Sequence, residues 1–535
     1  MPDAQTLTLR VEVPDAAAEL FLIDGDFRLV KKGVGSQSFE VPPGIYKIKC
    51  RSGRHAYEQM VVVRDGMAAV QLERVMVNSS MPLEGSMRTH EYHMSAAGNA
   101  ESGPKVSVGT GSGIIIVARQ WTSQNPPSDR PPLPNPARAL ALRDASGAVL
   151  VDVEAHTSYQ GGGDPIVTLN VELAPGEYSV TRVRPDGSSV SLPLVASAGW
   201  LTHVYILVDE KGVEGDAGAE LVSASITIRR PGAAFHANDL ELRSEEIARC
   251  ALRDARHILS APVRAQFTAK GAPPMLALIG GHLIARADKK AATRAPADAG
   301  ALAAESADLG DVRTIVANLR EALGAHPDVE ALASLCGVAN DAYVYRNPPM
   351  LRSSWSAMLD VSCRRPAAVP VDSITARVSE RVWGEGPWLL WVDRVAVSDA
   401  DHARSWQARA RELVVALATK EPPAVAATMD QDKALVADVA PPTFARRTVE
   451  AVLTTVIPEG ARSAWKRRSK FGDNRARTPF PSFANIEPRA GPTHTADEFQ
   501  RARTALTDAN RAELVKEIGV PLSRIDAWLE GTAGE

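Results

Sequence analysis

The chain has 535 residues, of which 45% are hydrophobic and only 5% aromatic, and a formal charge of −4. That length exceeds what one hydrophobic core can organise and calls for several domains. The near-neutral balance gives the whole molecule no reason to seek nucleic acid or an anionic membrane surface. Residues Met1 to Thr6 carry neither the basic nor the apolar region of a secretory signal, and the apolar runs are strand-sized rather than membrane-spanning. Four cysteines, Cys50, Cys250, Cys336 and Cys363, stand far apart with no Cys-x-x-Cys pair, a pattern of neither a zinc site nor a disulfide scaffold. The expectation is a soluble cytoplasmic protein without a cofactor.

Residues 1–76 read as short strands separated by turns. Leu7 to Val13 alternates with period two, and Asp24-Gly25-Asp26 offers a turn before Phe27 to Val30. The stretch Val41-Pro42-Pro43-Gly44-Ile45-Tyr46-Lys47-Ile48-Lys49-Cys50 puts Tyr46, Ile48 and Cys50 on one strand face and both lysines on the other. Its Pro-Gly is expected to form a tight turn with the glycine at positive φ. The phrase recurs as Leu173-Ala174-Pro175-Gly176-Glu177-Tyr178-Ser179-Val180, so residues 112–230 form a second copy of one β-module. Between the copies, residues 77–111 are rich in Ser, Gly, Met and Asn and read as a linker or long loop. Each copy reads as an all-β sandwich. The Pro-Gly-x-Tyr strand resembles that of carboxypeptidase-regulatory-like and PEGA-type β-sandwich modules, a resemblance that implies scaffolding or binding rather than catalysis.

From about residue 240 the apolar period changes from 2 to 3.6. Met275 to Ile284 reads as a buried helix, and Val312, Ile315, Val316, Leu319 and Leu323 mark an amphipathic helix that stops at Gly324. Ser373 can cap a helix through Val382, while Pro387-Trp-Leu-Leu-Trp-Val392 suits a strand or a buried turn. Residues 240–420 thus read as an α-helical domain of solenoid-like helix pairs, with no fixed repeat length. The phrases His326 to Leu332, Tyr343 to Leu351 and Pro387 to Trp391 resemble helical regions of bacterial proteins associated with caspase-like or trypsin-like peptidases. That resemblance implies a peptidase effector of a defence or signalling system as partner and carries over no catalytic residue. Residues 421–494 are Pro-rich, basic and irregular, and 495–535 read as a C-terminal helical hairpin. The fold class expected is multidomain α+β: two all-β sandwich modules, then an α-helical domain and a small C-terminal helical unit.

Leu514 to Gly531 resembles the helix-turn-helix of lambda-repressor-type proteins, with Val515, Gly519, Ile525 and Trp528 at the spacing of that motif. Gly519 is expected to supply a left-handed turn, and Ile525 and Trp528 to pack the second helix on the first. The resemblance implies DNA binding, yet Val515 replaces the usual alanine and the second helix offers Asp526 and Glu530 with only Arg524 as a base reader. Arg462, Trp465, Lys466, Arg467, Arg468 and Lys470 interleave cations with an aromatic ring, the composition of a nucleic-acid or acidic-partner patch or of a solvated loop. Together with Arg524 they are the candidate binding residues.

No catalytic or metal-binding set is assigned. His90-Glu91-Tyr92-His93 falls short of a zinc-protease helix and reads as an accidental pair without a helical frame. Gly109-Thr-Gly-Ser-Gly113 precedes a strand instead of following one, so it reads as a linker end. Cys336 with His282 or His326 reads as a buried cysteine rather than a Cys–His dyad, and Glu245-Glu246 as solvated surface. The leading expectation is a non-enzymatic adaptor for a protein partner; the alternative is a nucleic-acid-binding regulator using the basic segment and the C-terminal unit.

Overall fold

The computed structural model describes residues 6–53, 55–66, 69–77, 79–86, 89–120, 135–160, 164–209, 218–292, 309–383, 386–393, 399–419 and 496–531. The chain is mixed α+β. Its first strands are β1 (Leu7–Glu12), β2 (Glu19–Asp24), β3 (Leu29–Val34), β4 (Gln37–Val41), β5 (Gly44–Ser52), β6 (His55–Val63) and β7 (Val70–Gln71). They form two sheets, ordered β4-β1-β7 and β3-β2-β5-β6, that enclose Leu9, Val11, Leu20, Leu22, Phe39 and Ile48. Burial alternates along β5, with Tyr46, Ile48 and Cys50 inside and the lysines outside, as a half-buried strand requires.

The same arrangement returns further along. After α1 (Glu91–Asn99) and β8 (Lys105–Ser107) come β9 (Ser112–Gln120), β10 (Leu140–Asp144), β11 (Val149–Asp152), the short α2 (Val153–His156), β12 (Ser158–Gln160), β13 (Ile166–Leu173), β14 (Gly176–Val183), β15 (Ser189–Ala196), β16 (Leu201–Asp209) and β17 (Gly218–Arg229). One sheet contains β11-β10-β14-β15 and the other β12-β13-β9-β16-β17. β9 pairs antiparallel with β13 and parallel with β16, just as β1 does with β4 and β7. Even the first hairpins correspond. Asp24 Oδ1 accepts from the backbone N of Asp26 and Arg28, and Asp144 Oδ1 from those of Ser146 and Ala148. The positive φ these turns need falls on Phe27 (62°) in one and Gly147 (90°) in the other.

The Pro-Gly-x-Tyr phrase works differently from the expectation. Neither Gly44 nor Gly176 has positive φ. Instead the tyrosine ring folds back over the glycine: a Cβ on Gly44 would lie 3.5 Å from the Tyr46 ring, and one on Gly176 3.7 Å from Tyr178. The phenol then donates to the carbonyl four residues upstream, Tyr46 to Pro42 O at 2.9 Å and Tyr178 to Ala174 O at 2.7 Å. The phrase is a tyrosine corner that fixes the entry into the strand.

Residues 77–111, expected as a linker, are part of the second unit. Met81, Leu83, Ala97 and Ala100 bury against Ile115, Val117 and Tyr205, the face of the β9–β16 sheet turned away from its partner sheet. That cover is why β9 is buried at all nine residues. Residues 109–111 lead straight into β9, Gly109 lying against Leu173 and Ala174 and Gly111 against Pro175.

The helices begin with α3 (Leu240–Arg253), α4 (Ala261–Thr268), α5 (Pro274–Ala292), α6 (Gly310–Leu323) and α7 (Pro327–Leu335). The apolar stripe of α6 is buried at all five marked positions, and the helix ends on Gly324 at φ 69°. α5 lies at the centre. A Cβ on Gly280 would come within 2.3 Å of Phe267 on α4, and one on Gly281 within 2.5 Å of Leu332 on α7, so only glycine admits these neighbours so closely. Next come α8 (Arg352–Arg364), α9 (Ile374–Val378), β18 (Val382–Trp383), β19 (Leu390–Asp393), α10 (Asp399–Thr419), α11 (Ala496–Ala505), α12 (Asp508–Ile518) and α13 (Leu522–Leu529).

The helical region does not stand apart as a solenoid. β19 joins the edge of the second β-unit against β15, and Trp388, Leu390 and Val392 enter a core shared by that unit and helices α3 to α7. A second core unites Trp355, Trp391 and Trp406 with Val515, Ile518 and Ile525 of the C-terminal helices. Those helices number three among the described residues, not a hairpin. Gly519 is left-handed as expected (φ 77°, ψ 17°) and its N–H caps Val515 O. Trp528, however, turns to Trp406 on α10 and Phe499 on α11, at ring separations of 5.4 and 5.5 Å, within the range of favourable aromatic pairs.

Tyr46→Phe deletes the corner hydrogen bond while keeping the ring. It is expected to lower unfolding stability by about 1 kcal/mol, measured by chemical denaturation.

Candidate functional site

Where β19 closes onto the second β-unit, a groove of about 700 Å³ remains between the sheet and the helices. Its floor is the outer face of β14 and β15, where Ser179 and Thr181 take the places of Lys47 and Lys49 in the first copy, and Ser189 and Ser191 those of Ala56 and Glu58. Thr181 Oγ1 and Ser191 Oγ lie 2.9 Å apart and bond to each other. The near wall is the Arg143–Gly147 turn with Glu177 and Tyr178. The far wall is Asn347, Pro348, Ile374, Arg377 and Arg381, joined by Arg524 of the C-terminal unit.

Four arginines and four acids line this groove, and much of the charge is already spent. Arg381 donates to Asp393 at 2.6 Å and Arg524 to Glu380 at 2.8 Å. Arg377 is exposed on α9 and has no ion pair among the described residues. On the opposite wall, burial pushes the Glu177 carboxyl up while a hydrogen bond from the Asn347 side chain pulls it back. The groove is thus long, polar-floored and of mixed sign. Its hydroxyls have no histidine among the lining residues to activate them. Such a lining suits hydrogen bonding to a polypeptide better than capture of a bare anion, which would meet acids as well as arginines.

Among the sequence candidates, only Arg524 lies in the described residues and in this groove. Its guanidinium is held by Glu380, and every residue of α13 is buried or half-buried against the protein. Arg462, Trp465, Lys466, Arg467, Arg468 and Lys470 lie outside the described residues. The groove itself was not legible in the sequence. The one available signal was the run of hydroxyl residues at alternate positions of β14 and β15, a polar strand face on an otherwise apolar unit.

Two clusters correct the sequence reading. His90-Glu91-Tyr92-His93 opens a helix, and His90, Tyr92 and His93 together grip Asp164. His90 Nε2 lies 2.6 Å from Asp164 Oδ2, Tyr92 donates to Asp164 O at 2.7 Å, and His93 Nε2 reaches the same carbonyl at 3.0 Å. Arg119, fully buried beside them, donates to the carbonyls of Ser79 and Ser80 and is pulled down to about 9 by burial. Burial also lowers His93 to about 4, so its ring is neutral at pH 7. The pairing across 74 residues explains why no local pattern announced it.

Glu245 and Glu246 are not solvated surface; they are 1% and 0% exposed. They sit on the side of α3 that packs against β17, where Thr227 donates to Glu245 and Ser225 to Glu246. Glu246 is neutralised by a two-point bond from Arg249, 2.8 and 2.9 Å. Glu245 forms no ion pair among the described residues, and burial beside Glu246 raises its carboxyl well above the usual range, against the Thr227 hydrogen bond and the charge of Arg229. Cys336, His282 and His326 are buried; burial brings both histidines down to about 3, and the cysteine donates to carbonyls of its own helix. Among the described residues no group of His, Cys, Asp and Glu could hold a metal ion, and no helix is long and apolar enough to cross a membrane. No protein-family model matches the chain, and neither does any curated protein or solved structure.

Because folded Glu245 keeps its proton above the value of 4.5 at which the unfolded residue ionises, the folded state binds more protons and stability falls as pH rises past 4.5. Glu245→Gln is therefore expected to be more stable than the parent at pH 7 and equal to it near pH 4, checked by denaturant titration at both pH values.

Proposed function

We propose that this chain is a non-enzymatic adaptor that holds a polar segment of a protein partner in the groove between its second β-unit and its helices. In this reading two β-sandwich modules form the frame, the helical region supplies the far wall, and the C-terminal unit braces that wall through Arg524. The observation that carries the proposal is the groove: large enough for a peptide, floored by hydroxyls, and keeping one exposed arginine, Arg377, opposite Glu177. The resemblances of the repeats to binding modules, and of the helical phrases to peptidase-associated proteins, point the same way and suggest a bacterial peptidase effector as partner. Nucleic-acid regulation through the C-terminal unit has less support, since α13 has no exposed residue and Arg524 is already paired.

Affinity purification of the tagged, full-length protein from its own host, after nuclease treatment, tests this. A single stoichiometric protein should accompany the parent and be recovered about tenfold less with Arg377→Glu combined with Ser189→Trp, at unchanged melting temperature. Equal recovery with both proteins, or no companion at all, would count against the groove.

A further inference from the structure

The two β-units differ at one edge. In the second, β15 does not end its sheet: β19 pairs antiparallel with it, setting Ser189 opposite Asp393, Val190 opposite Val392 and Ser191 opposite Trp391. In the first, the equivalent strand β6 is the last of its sheet among the described residues. Gly44 faces Val63 across the ladder and Gly176 faces Ala196, so aligning the two ladders makes Ala56, Tyr57 and Glu58 the counterparts of Ser189, Val190 and Ser191. Met60 is the counterpart of Pro193.

Pro193 shows which way this backbone faces. It lies in the ladder opposite Ser179 yet has no N–H, so its nitrogen points away from β14. Ser191 and Ser189, two and four residues back, present their backbone on that same side, to β19. By the same alternation the amides and carbonyls of Ala56, Glu58 and Met60 point outward from β6. Edge strands are usually blunted by lysine, proline or a bulge. β6 has neither residue, and its ladder with β5 runs unbroken from Gly44 to Ser52.

The surroundings indicate what would fit. Met60, Val62 and neighbouring Ile45 are 59%, 58% and 56% exposed, an uncovered apolar strip. Tyr57 is only half-buried, whereas its counterpart Val190 is closed over by Val392. On the outer face Lys47 and Lys49 share the single carboxylate of Glu58, at 3.0 and 3.2 Å, which leaves one positive charge without its own counterion among the described residues.

We infer that β6 is a strand-addition site. It takes an extended segment of a partner protein, antiparallel along Ala56 to Glu58, with an apolar side chain beside Tyr57 and an acidic one on the lysine-bearing face. This is the chemistry that Val392 and Asp393 bring to β15. The site lies on the opposite β-unit from the groove and stands whether or not the groove binds a partner.

The probe is a labelled peptide of residues 386–393 with a solubilising tag, titrated into the intact chain and read by fluorescence polarisation. Saturable binding is expected, weakened at least about tenfold by Glu58→Pro or Ala56→Pro, which remove only outward-facing N–H groups. Met60→Pro should bind like the parent, because the second unit holds β19 with a proline at that place. A peptide N-methylated at Trp391 and Asp393 should lose binding to the unaltered protein, a result independent of how the variants fold. No saturable binding, or binding indifferent to both the proline substitutions and the N-methyl groups, would overturn the proposal. So would a parent dimer in sedimentation that Glu58→Pro dissolves, since the edge would then belong to a second copy of the chain.

Discussion

The rest of the structure depends on the charged side of α3. Arg243, 4% exposed, donates two bonds to Asp15, which lies 228 residues earlier in the first β-unit, and a third to the carbonyl of Val75. Just beyond the C-terminal end of α3, Arg256 meets Glu19, also buried, together with Arg51 from β5. Toward the second β-unit the same helix presents Glu245 and Glu246 to the hydroxyls of Thr227 and Ser225. Its apolar side, Ile247, Ala248, Ala251 and Leu252, belongs to the core around α5. One helix therefore joins both β-units to the helical layer, and it does so largely through buried polar pairs. Removing one partner of such a pair costs about 3–5 kcal/mol, because the other charge is left in low dielectric. Buried pairs of this kind add little net stability, but they accept only one docking geometry.

Duplication explains the other half of the architecture. The two β-units share strand order, the mixed parallel and antiparallel partners of their first strand, the Asx-stabilised first hairpin and the tyrosine corner. They diverge in what covers them. The second unit has given up both of its free surfaces: residues 77–103 and α3 cover one sheet, while β19 extends the edge of the other. Its outer face has become polar, and the groove lies where that face meets the helices. The first unit keeps exposed apolar residues on β5 and β6. Both copies are anchored to α3, but only the second has its sheet edge taken by β19; in the first, β6 is the last strand of its sheet among the described residues.

Much of this was legible in the chain. Alternating strands, the repeated Pro-Gly-x-Tyr phrase, the stripe of α6, the Gly324 and Gly519 stops and the Ser373 cap all depend on residues within a few positions of one another, and all lie where local chemistry puts them. The misreadings share a cause. Glu245 and Glu246 look solvated because nothing nearby announces Thr227, Ser225 and the sheet that buries them. His90 to His93 look accidental because their common target, Asp164, is more than seventy residues away. Residues 77–111 look like a linker because their few apolar side chains are spaced for no period, being placed one at a time against a sheet built from other strands.

The sequence by itself determined the local elements, since strand alternation, helix periodicity and turn chemistry act over a turn or two of chain. It also determined that the β-unit occurs twice, because the corner tyrosine and its glycine must recur together for that turn to form. Tertiary structure alone decided which faces became interior and which edges became paired. β19 lies some 200 residues from β15 by the numbering of their partners Ser189 and Asp393, and nothing in Leu390 to Asp393 distinguishes an edge-capping strand from a buried turn until that edge is in place. The groove floor and the open edge of β6 follow from that one long-range pairing, made in one copy and absent among the described residues of the other.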